Sequence, residues 1–447
     1  MSLHRCKNIF SNSKSLKQLT YSAQLGNVRV GLKQGELSLN PVKHRIANVP
    51  QANSIPRTEL TILGIISAIG YASLFILLPA MPAIMAEFNK DLAEVQLIVS
   101  LSFLIMGIGS FLFGFLSERY SHRTILLYAL FVFTASSLLA GFAQSMETLI
   151  TARCAQAASG SAGIAVARTR VLNELTRDHA AGALAYIIVP ITFLPLILPL
   201  LGGLLTQWLS WRWVFHLGGL MGLSGMIVTY LWMPKLPAAS RAPKPLGTLS
   251  GIMRLLRSRR FNGYNGHHTF VVVAIQVLQT AAPFILIQSL GYSPSQYGLL
   301  VTIPALGSLA GALIAGKLTA RLGGDKIIAF GAKIGVLAYS VMLFCALAGM
   351  LSPITIIGPW ILIALSNTLS LPSSTSGALE EHAGLRGLGA GLMAMIQWVI
   401  AGLIVQISAF FLVDSATPVL VTTLLCYLFA CAFFKIGSRA PRLSPTI

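Results

Sequence analysis

LITARCAQAASGSAGIAVARTRVLNEL (149–175) reads as a membrane-crossing helix that carries an arginine where an arginine is costly. Arg153 stands about one to two turns inside an otherwise apolar run, and a cation at the bilayer centre costs roughly 2.5–3.5 kcal/mol on insertion scales. Ala157, Ser159, Gly160, Ser161 and Gly163 follow it, small residues that let neighbouring helices come close. The stretch therefore predicts a helix inside a bundle, with Arg153 turned toward a polar interior. The competing reading is an arginine whose head reaches back to the interface along its own apolar stem.

Composition places the whole chain in the membrane. Of 447 residues 55% are hydrophobic and 10% charged, with a mean hydropathy of +0.75, whereas soluble domains carry about 25% charged residues. The net charge of +19 invites a nucleic-acid reading, but the cations cluster in the tail and in alternate loops. That pattern follows the membrane-orientation rule, so no nucleic-acid partner is expected. Cys6, Cys154, Cys345, Cys426 and Cys431 lack metal spacing, and four of them fall inside apolar runs. They imply neither a disulfide framework nor a metal site.

Twelve apolar runs follow one another, at 58–82, 94–116, 124–144, 148–172, 181–205, 213–233, 266–290, 297–318, 327–350, 354–374, 388–412 and 417–436. The even-numbered loops hold Arg119, Arg123, Arg177, Lys235, Arg241, Lys244, Arg254, Arg257, Arg259, Arg260, Arg321, Lys326 and Arg386, and the odd loops only Lys90 and Arg212. Both termini are then expected in the cytoplasm. A basic, proline-bearing linker at 234–265 divides the chain into six-helix halves, 58–233 and 266–436, with a short tail at 437–447. The expected fold is an all-α integral membrane protein of twelve transmembrane helices. In such a 6+6 plan the solute site forms at the bilayer midplane between the halves. Residues 1–57 are basic and polar with Glu36 as the sole carboxylate before the first run. They read as a disordered cytoplasmic tail, an organellar transit peptide or the product of a misassigned start.

Two loops carry a repeated device. GFLSERYSHR (114–123) offers Gly114, Glu118, Arg119 and Arg123 at a helix–loop–helix corner, where acid and arginine can latch two helix ends together. GKLTARLGGDK (316–326) stands at the matching place in the second half. In the fifth run Pro190, Pro195 and Pro199 each delete a backbone donor, so this helix is expected to bend or locally unwind, while Gly202 and Gly203 allow close packing. Polar or aromatic residues at mid-span, Tyr71, Gln156, Thr192, Gln276, Gln279, Asn367 and Gln397, join Arg153 as candidates for an apolar-walled cavity with a few polar handles.

GFLSERYSHR resembles the loop signature of the major facilitator superfamily, and Arg153 with Gln156 resembles its fourth-helix R-x-x-Q-G pattern. LPLILPLLGG (194–203) resembles the fifth-helix proline–glycine pattern of its drug antiporters. LLPAMPAI (77–84), WLSWRWVF (208–215), RLLRSRRFNGY (254–264) and GYSPSQYGLL (291–300) are similar to the bicyclomycin-resistance (Bcr/CflA) branch of multidrug efflux pumps. The resemblance implies efflux of drugs by a proton antiporter of the inner membrane, with a carboxylate in the first helix to take up the proton. Counting back from LPAMP places that acid at Phe75, so the expected carboxylate is missing. The loop signature also departs from the family, with Ser121 and His122 at two of its positions.

All 13 carboxylates fall at helix ends, in loops or in the tail. A proton carrier is thus sought among Glu94, Glu118, Glu174 or a histidine such as His216. With Arg153, Arg168 and Arg170 in one helix and no opposing acid, the cavity is expected to be electropositive, which favours neutral or anionic solutes. The expected protein is a monomeric, proton-coupled exporter of small amphipathic molecules, without cofactor or metal and with no enzyme chemistry. Export of an anionic metabolite such as a siderophore is the alternative, and a sensor or scaffold that moves no solute is the second.

Overall fold

The computed structural model describes residues 55–117, 119–175, 177–234, 248–380, 385–411 and 416–440. The expected tails at 1–54 and 441–447, the linker portion 235–247, and Glu118 lie outside the described residues. In chain order the helices are α1 Arg57–Phe75, α2 Met81–Phe88, α3 Leu92–Ser117, α4 His122–Gly141, α5 Met146–Gly160, α6 Ala162–Glu174, α7 Arg177–Trp208 and α8 Arg212–Trp232. There follow α9 Thr248–Arg257, α10 Arg259–Pro283, α11 Pro294–Thr302, α12 Ala305–Leu322, α13 Gly324–Leu347, α14 Pro353–Leu379, α15 Arg386–Ala409 and α16 Thr417–Ser438. Among the described residues no strand occurs.

Ten helical segments among the described residues are long and apolar enough to cross a membrane. Two further expected spans, 148–172 and 181–205, coincide with α5–α6 and α7. The former is divided at Ser161 and carries three arginines; the latter holds only shorter apolar stretches, Gly182–Ile191 and Ile197–Trp208. Outward-facing Phe131, Phe193, Leu313, Phe344 and Phe429 are exposed, as a lipid-facing surface requires. The first and seventh spans are instead 78% and 72% buried, against 22–56% for the other eight, which puts those two at the bundle centre.

Helix breaks fall elsewhere than the prolines of the fifth run suggest. α7 is one uninterrupted helix of 32 residues, so the expectation of local unwinding there is corrected. Pro190, Pro195 and Pro199 each remove a single donor and leave the neighbouring rungs of the ladder in place. The interruptions lie in the first span, where α1 gives way at Ile76 to a 3₁₀ turn Leu78–Ala80 that contains Pro79 and is followed by Pro82, and in the fourth, at Ser161. They recur in the seventh, where Pro283 precedes a π-helical turn Phe284–Ser289, and in the eighth, before Ala305, at Pro304. The seventh span also begins at Arg259 rather than 266, because the Ser258 hydroxyl caps it by accepting from the Phe261 amide at 3.1 Å. The polar stretch RRFNGYN (259–265) falls in the expected linker, yet it is helical and much of it is buried.

The halves touch along two seams at the end of the bundle opposite Arg57 and Ser438. On one, α3 packs on α15: Ser100 Oγ donates to Gln406 Oε1 at 2.6 Å and Gln406 Nε2 donates to the Ala93 carbonyl at 2.9 Å. On the other, α7 packs on α11: Ser295 Oγ donates to Gln207 Oε1 at 2.5 Å, and a Cβ at Gly203 would lie 2.1 Å from the Pro294 carbonyl oxygen. Only glycine permits that approach. Gly203→Val is expected to force this seam apart and lower the thermal unfolding midpoint of the purified protein, since overpacking costs about 1–3 kcal/mol. Gly316→Val, at a glycine with open space around it, should leave the midpoint unchanged when both are followed by tryptophan fluorescence.

Candidate substrate site

Arg153 is 1% exposed and is held within the N-terminal half. Its Nη1 donates to Gln156 Oε1, whose amide nitrogen donates in turn to Ser137 Oγ on α4 at 2.5 Å. Its guanidinium lies 5.9 Å from the Phe215 ring centre on α8, while Nε and Nη2 have no hydrogen-bond partner. The contacts of Arg153 and Gln156 therefore run to α4 and α8, not to the second half. The head is also too buried to reach an interface.

A different set of polar residues meets between the halves. Tyr71 on α1 stands edge-on to Trp398 on α15, with ring centres 5.8 Å apart. His268 on α10 is hydrogen-bonded through Nε2 to Gln397 Oε1 at 3.0 Å and through Nδ1 to Thr375 Oγ1 on α14 at 3.2 Å. Arg168 on α6 lies within electrostatic reach of both Tyr71 and His268. The first, fourth, seventh, tenth and eleventh spans thus each supply a side chain to one place. Next to it, Leu74, Phe75, Leu78, Val99, Phe103, Gln276, Gln279 and Thr280 line a crevice with room for about one water. Phe75, standing where the family resemblance expects an acid, faces two glutamines there. Among the remaining candidates, Asn367 is buried with Oδ1 unpartnered, and the side chains of Thr192 and Pro195 lie outside the described residues.

At the end that bears Arg57 and Ser438, each half ties its first span to its fourth. Arg170 Nε on α6 donates to Glu59 Oε1 on α1 at 2.7 Å, both side chains being at most 5% exposed. In the second half Arg260 Nη2 on α10 donates to Glu380 Oε2, just past α14, at 2.5 Å. The device is the same with the charges exchanged. The expectation that none of the α6 arginines is opposed by an acid is corrected for Arg170: Glu59 sits in the first turn of its helix, but the surrounding helices enclose it.

The loop residues act nearby. Arg123 Nη2 donates to the Tyr230 carbonyl at 2.5 Å, binding the start of α4 to the end of α8, and the Arg119 guanidinium lies 4.3 Å from the Phe115 ring centre. Gly114 has open space around it. In the second half Tyr264 Oη donates to Asp325 Oδ1 at 2.5 Å, joining α10 to α13. The hinge-helix residues serve packing: Pro190 lies beside Gly64, a Cβ at Gly202 would lie 2.0 Å from the Ile76 carbonyl oxygen, and the Pro199 backbone abuts Gly298. Of the proton-carrier candidates, Glu94 is surface-exposed and receives a bond from Lys90 Nζ at 3.2 Å, and His216 packs among Phe142 and Trp213; the Glu174 side chain lies outside the described residues.

His268, Thr375, Glu59, Glu380 and the Tyr264–Asp325 bond were not singled out from sequence. For Tyr264 and His268 the available signal was the polar run NGYNGHH (262–268), directly continuous with an apolar span.

The chain belongs to the Major Facilitator Superfamily, which it matches over residues 63–406. It is 24% identical over 348 residues to YdgK, an MFS-type transporter of Bacillus subtilis, covering 77% of this chain and 86% of that one. It is 26% identical over 371 residues to multidrug resistance protein D of Escherichia coli, covering 78% and 88%. Among solved structures it is similar to a bacterial homologue of the human lysosomal transporter Spinster, in an inward-facing, unoccupied conformation, with a TM-score of 0.70 and 16% identity over 88% of this chain and all of that one. It is thus a multi-pass membrane transporter in which the arrangement of spans positions the residues described above.

Removing one member of a buried ion pair strands the other charge. Glu59→Gln is expected to destabilise the N-terminal half by about 3–5 kcal/mol, whereas Lys90→Gln, which breaks an exposed pair, should cost less than about 1 kcal/mol. Thermal unfolding of the purified variants in one detergent reads the difference.

Proposed function

We propose that this chain is a twelve-helix, proton-coupled exporter that moves small amphipathic molecules out of the cytoplasm by alternating access. It acts as a monomer in the inner membrane with both termini cytoplasmic. The observation that carries the reading is the meeting of Tyr71, Arg168, His268, Thr375, Gln397 and Trp398 from both halves, beside an apolar crevice and away from the seams. A site shared by two bodies that touch at one end is released on one side when they rock. Aromatic walls with few polar handles accept an amphipathic solute without fixing its shape. The resemblance to drug antiporters and the similarity to multidrug resistance protein D support the same direction of transport.

With Phe75 in place of the family's acid and no described carboxylate at mid-span, the coupling proton is carried by another group. His268 is the histidine at the meeting of the halves. The protein reconstituted in vesicles, under an imposed pH gradient, is expected to move amphipathic fluorescent drugs and to release protons in the opposite sense. Equal flux with and without the gradient would remove proton coupling from the reading, and absence of flux for every solute would favour the sensor or scaffold.

A further inference from the structure

We propose that Arg168 is the anchor of an anion-binding subsite, and that the solute taken up between the halves is an amphipathic anion whose acidic head lies at Arg168 and Tyr71 while its apolar body lies against Trp398, Phe103 and Phe75. The inference rests on the transporter reading and adds the charge of the solute.

Of the three arginines in the fourth span, Arg153 is enclosed by Gln156, Ser137 and Phe215, and Arg170 is neutralised by Glu59. Arg168, two residues before Arg170 and so on the opposite face of α6, makes no hydrogen bond or ion pair with any described residue. It is partly exposed, so its head can be reached.

Each described carboxylate has another partner or lies at the surface. Glu59 serves Arg170, Glu87 serves Arg212 and Trp211, and Glu94 serves Lys90. Asp91 accepts from the Glu94 amide, Asp325 accepts from Tyr264, Glu380 serves Arg260, and Glu147 is at the surface. A guanidinium between two helical bundles, unmatched by any described side chain, is the group that a carboxylate, sulfonate or phosphate oxygen meets with charge-assisted bonds.

Tyr71, which lies within electrostatic reach of Arg168, leads into apolar surface. Tyr71 meets Trp398, Trp398 meets Phe103 with ring centres 5.1 Å apart, and Phe103 and Phe75 share the crevice wall. One end of this path is cationic and the other is aromatic. A lipophilic cation would present its charge to Arg168 with no acid to offset it, whereas an amphipathic anion matches both ends.

Three probes sharing one apolar body test this: pyrenebutyrate, pyrenebutanol and a pyrenebutyl-trimethylammonium salt, titrated against the purified full-length protein in neutral detergent. Wild type is expected to bind the carboxylate at least tenfold more tightly than either other probe. Arg168→Gln should abolish that preference while leaving pyrenebutanol affinity within twofold, and Arg168→Lys should retain part of it. Equal binding of the three heads by wild type, or a preference that survives Arg168→Gln, overturns the proposal even if one variant fails to fold. Competition by phosphatidylglycerol that displaces the carboxylate probe from wild type would assign the subsite to a lipid headgroup and overturn it as a solute site. Vesicle flux of the same probes separates the two readings: carboxylate-selective binding without transport of any probe keeps the anion subsite and sinks the exporter, and transport without head-group preference does the reverse.

Discussion

A low-dielectric interior demands an answer for every charge brought into it, and the arrangement of this protein follows from how three arginines in one helix are answered. Arg170 is answered by a carboxylate, Glu59, across the α1–α6 contact. Arg153 is answered by dipoles and an aromatic face, Gln156, Ser137 and Phe215. Arg168 is answered by no described side chain and stands at the border between the two halves. Removing an ion from water costs several kcal/mol even after relaxation, so the first two fix helices to one another, and the third keeps its charge unmatched by any described side chain.

The ion pairs also hold each half together as a body. Glu59–Arg170 in the first half and Arg260–Glu380 in the second join the first to the fourth helix of each six-helix unit at the end that bears Arg57 and Ser438. Arg123 on the Tyr230 carbonyl and Tyr264 on Asp325 add further ties within each unit. Among the described residues the bonds between units, Ser100–Gln406–Ala93, Ser295–Gln207 and Gln288–Met85, are instead neutral and few, and they lie at the opposite end. Strong ties within and weak ones between are what a rocking motion about a shared site requires. The helix interruptions in the first, fourth and seventh spans lie in helices that supply Tyr71, Arg168 and His268, so the irregular backbone is placed in the helices that line the meeting point rather than in the proline-rich α7.

Much of this was legible from residue order. Apolar runs of spanning length, cations in alternate loops and a basic break in the middle specify a multi-pass helical protein in two halves, because a bilayer admits only backbone that satisfies itself. The motif order specified the superfamily. Less was legible where polar residues are helical: RRFNGYN (259–265) falls in the expected linker, and only packing against α13 reveals that Tyr264 is buried in a span, bonded to Asp325.

Sequence alone determined that arginines must lie within the fourth span and that the first span lacks an acid at Phe75, since both follow from the identity of residues in a run of fixed length. Which way each arginine faces was decided by the tertiary structure. Arg168 and Arg170 differ by two positions, and that half-turn separates a guanidinium buried against Glu59 from one left open between the halves. Glu59 looks like an ordinary helix-end acid until the fourth span closes over it, because burial is a property of neighbours distant in the chain, and only the folded bundle brings them together.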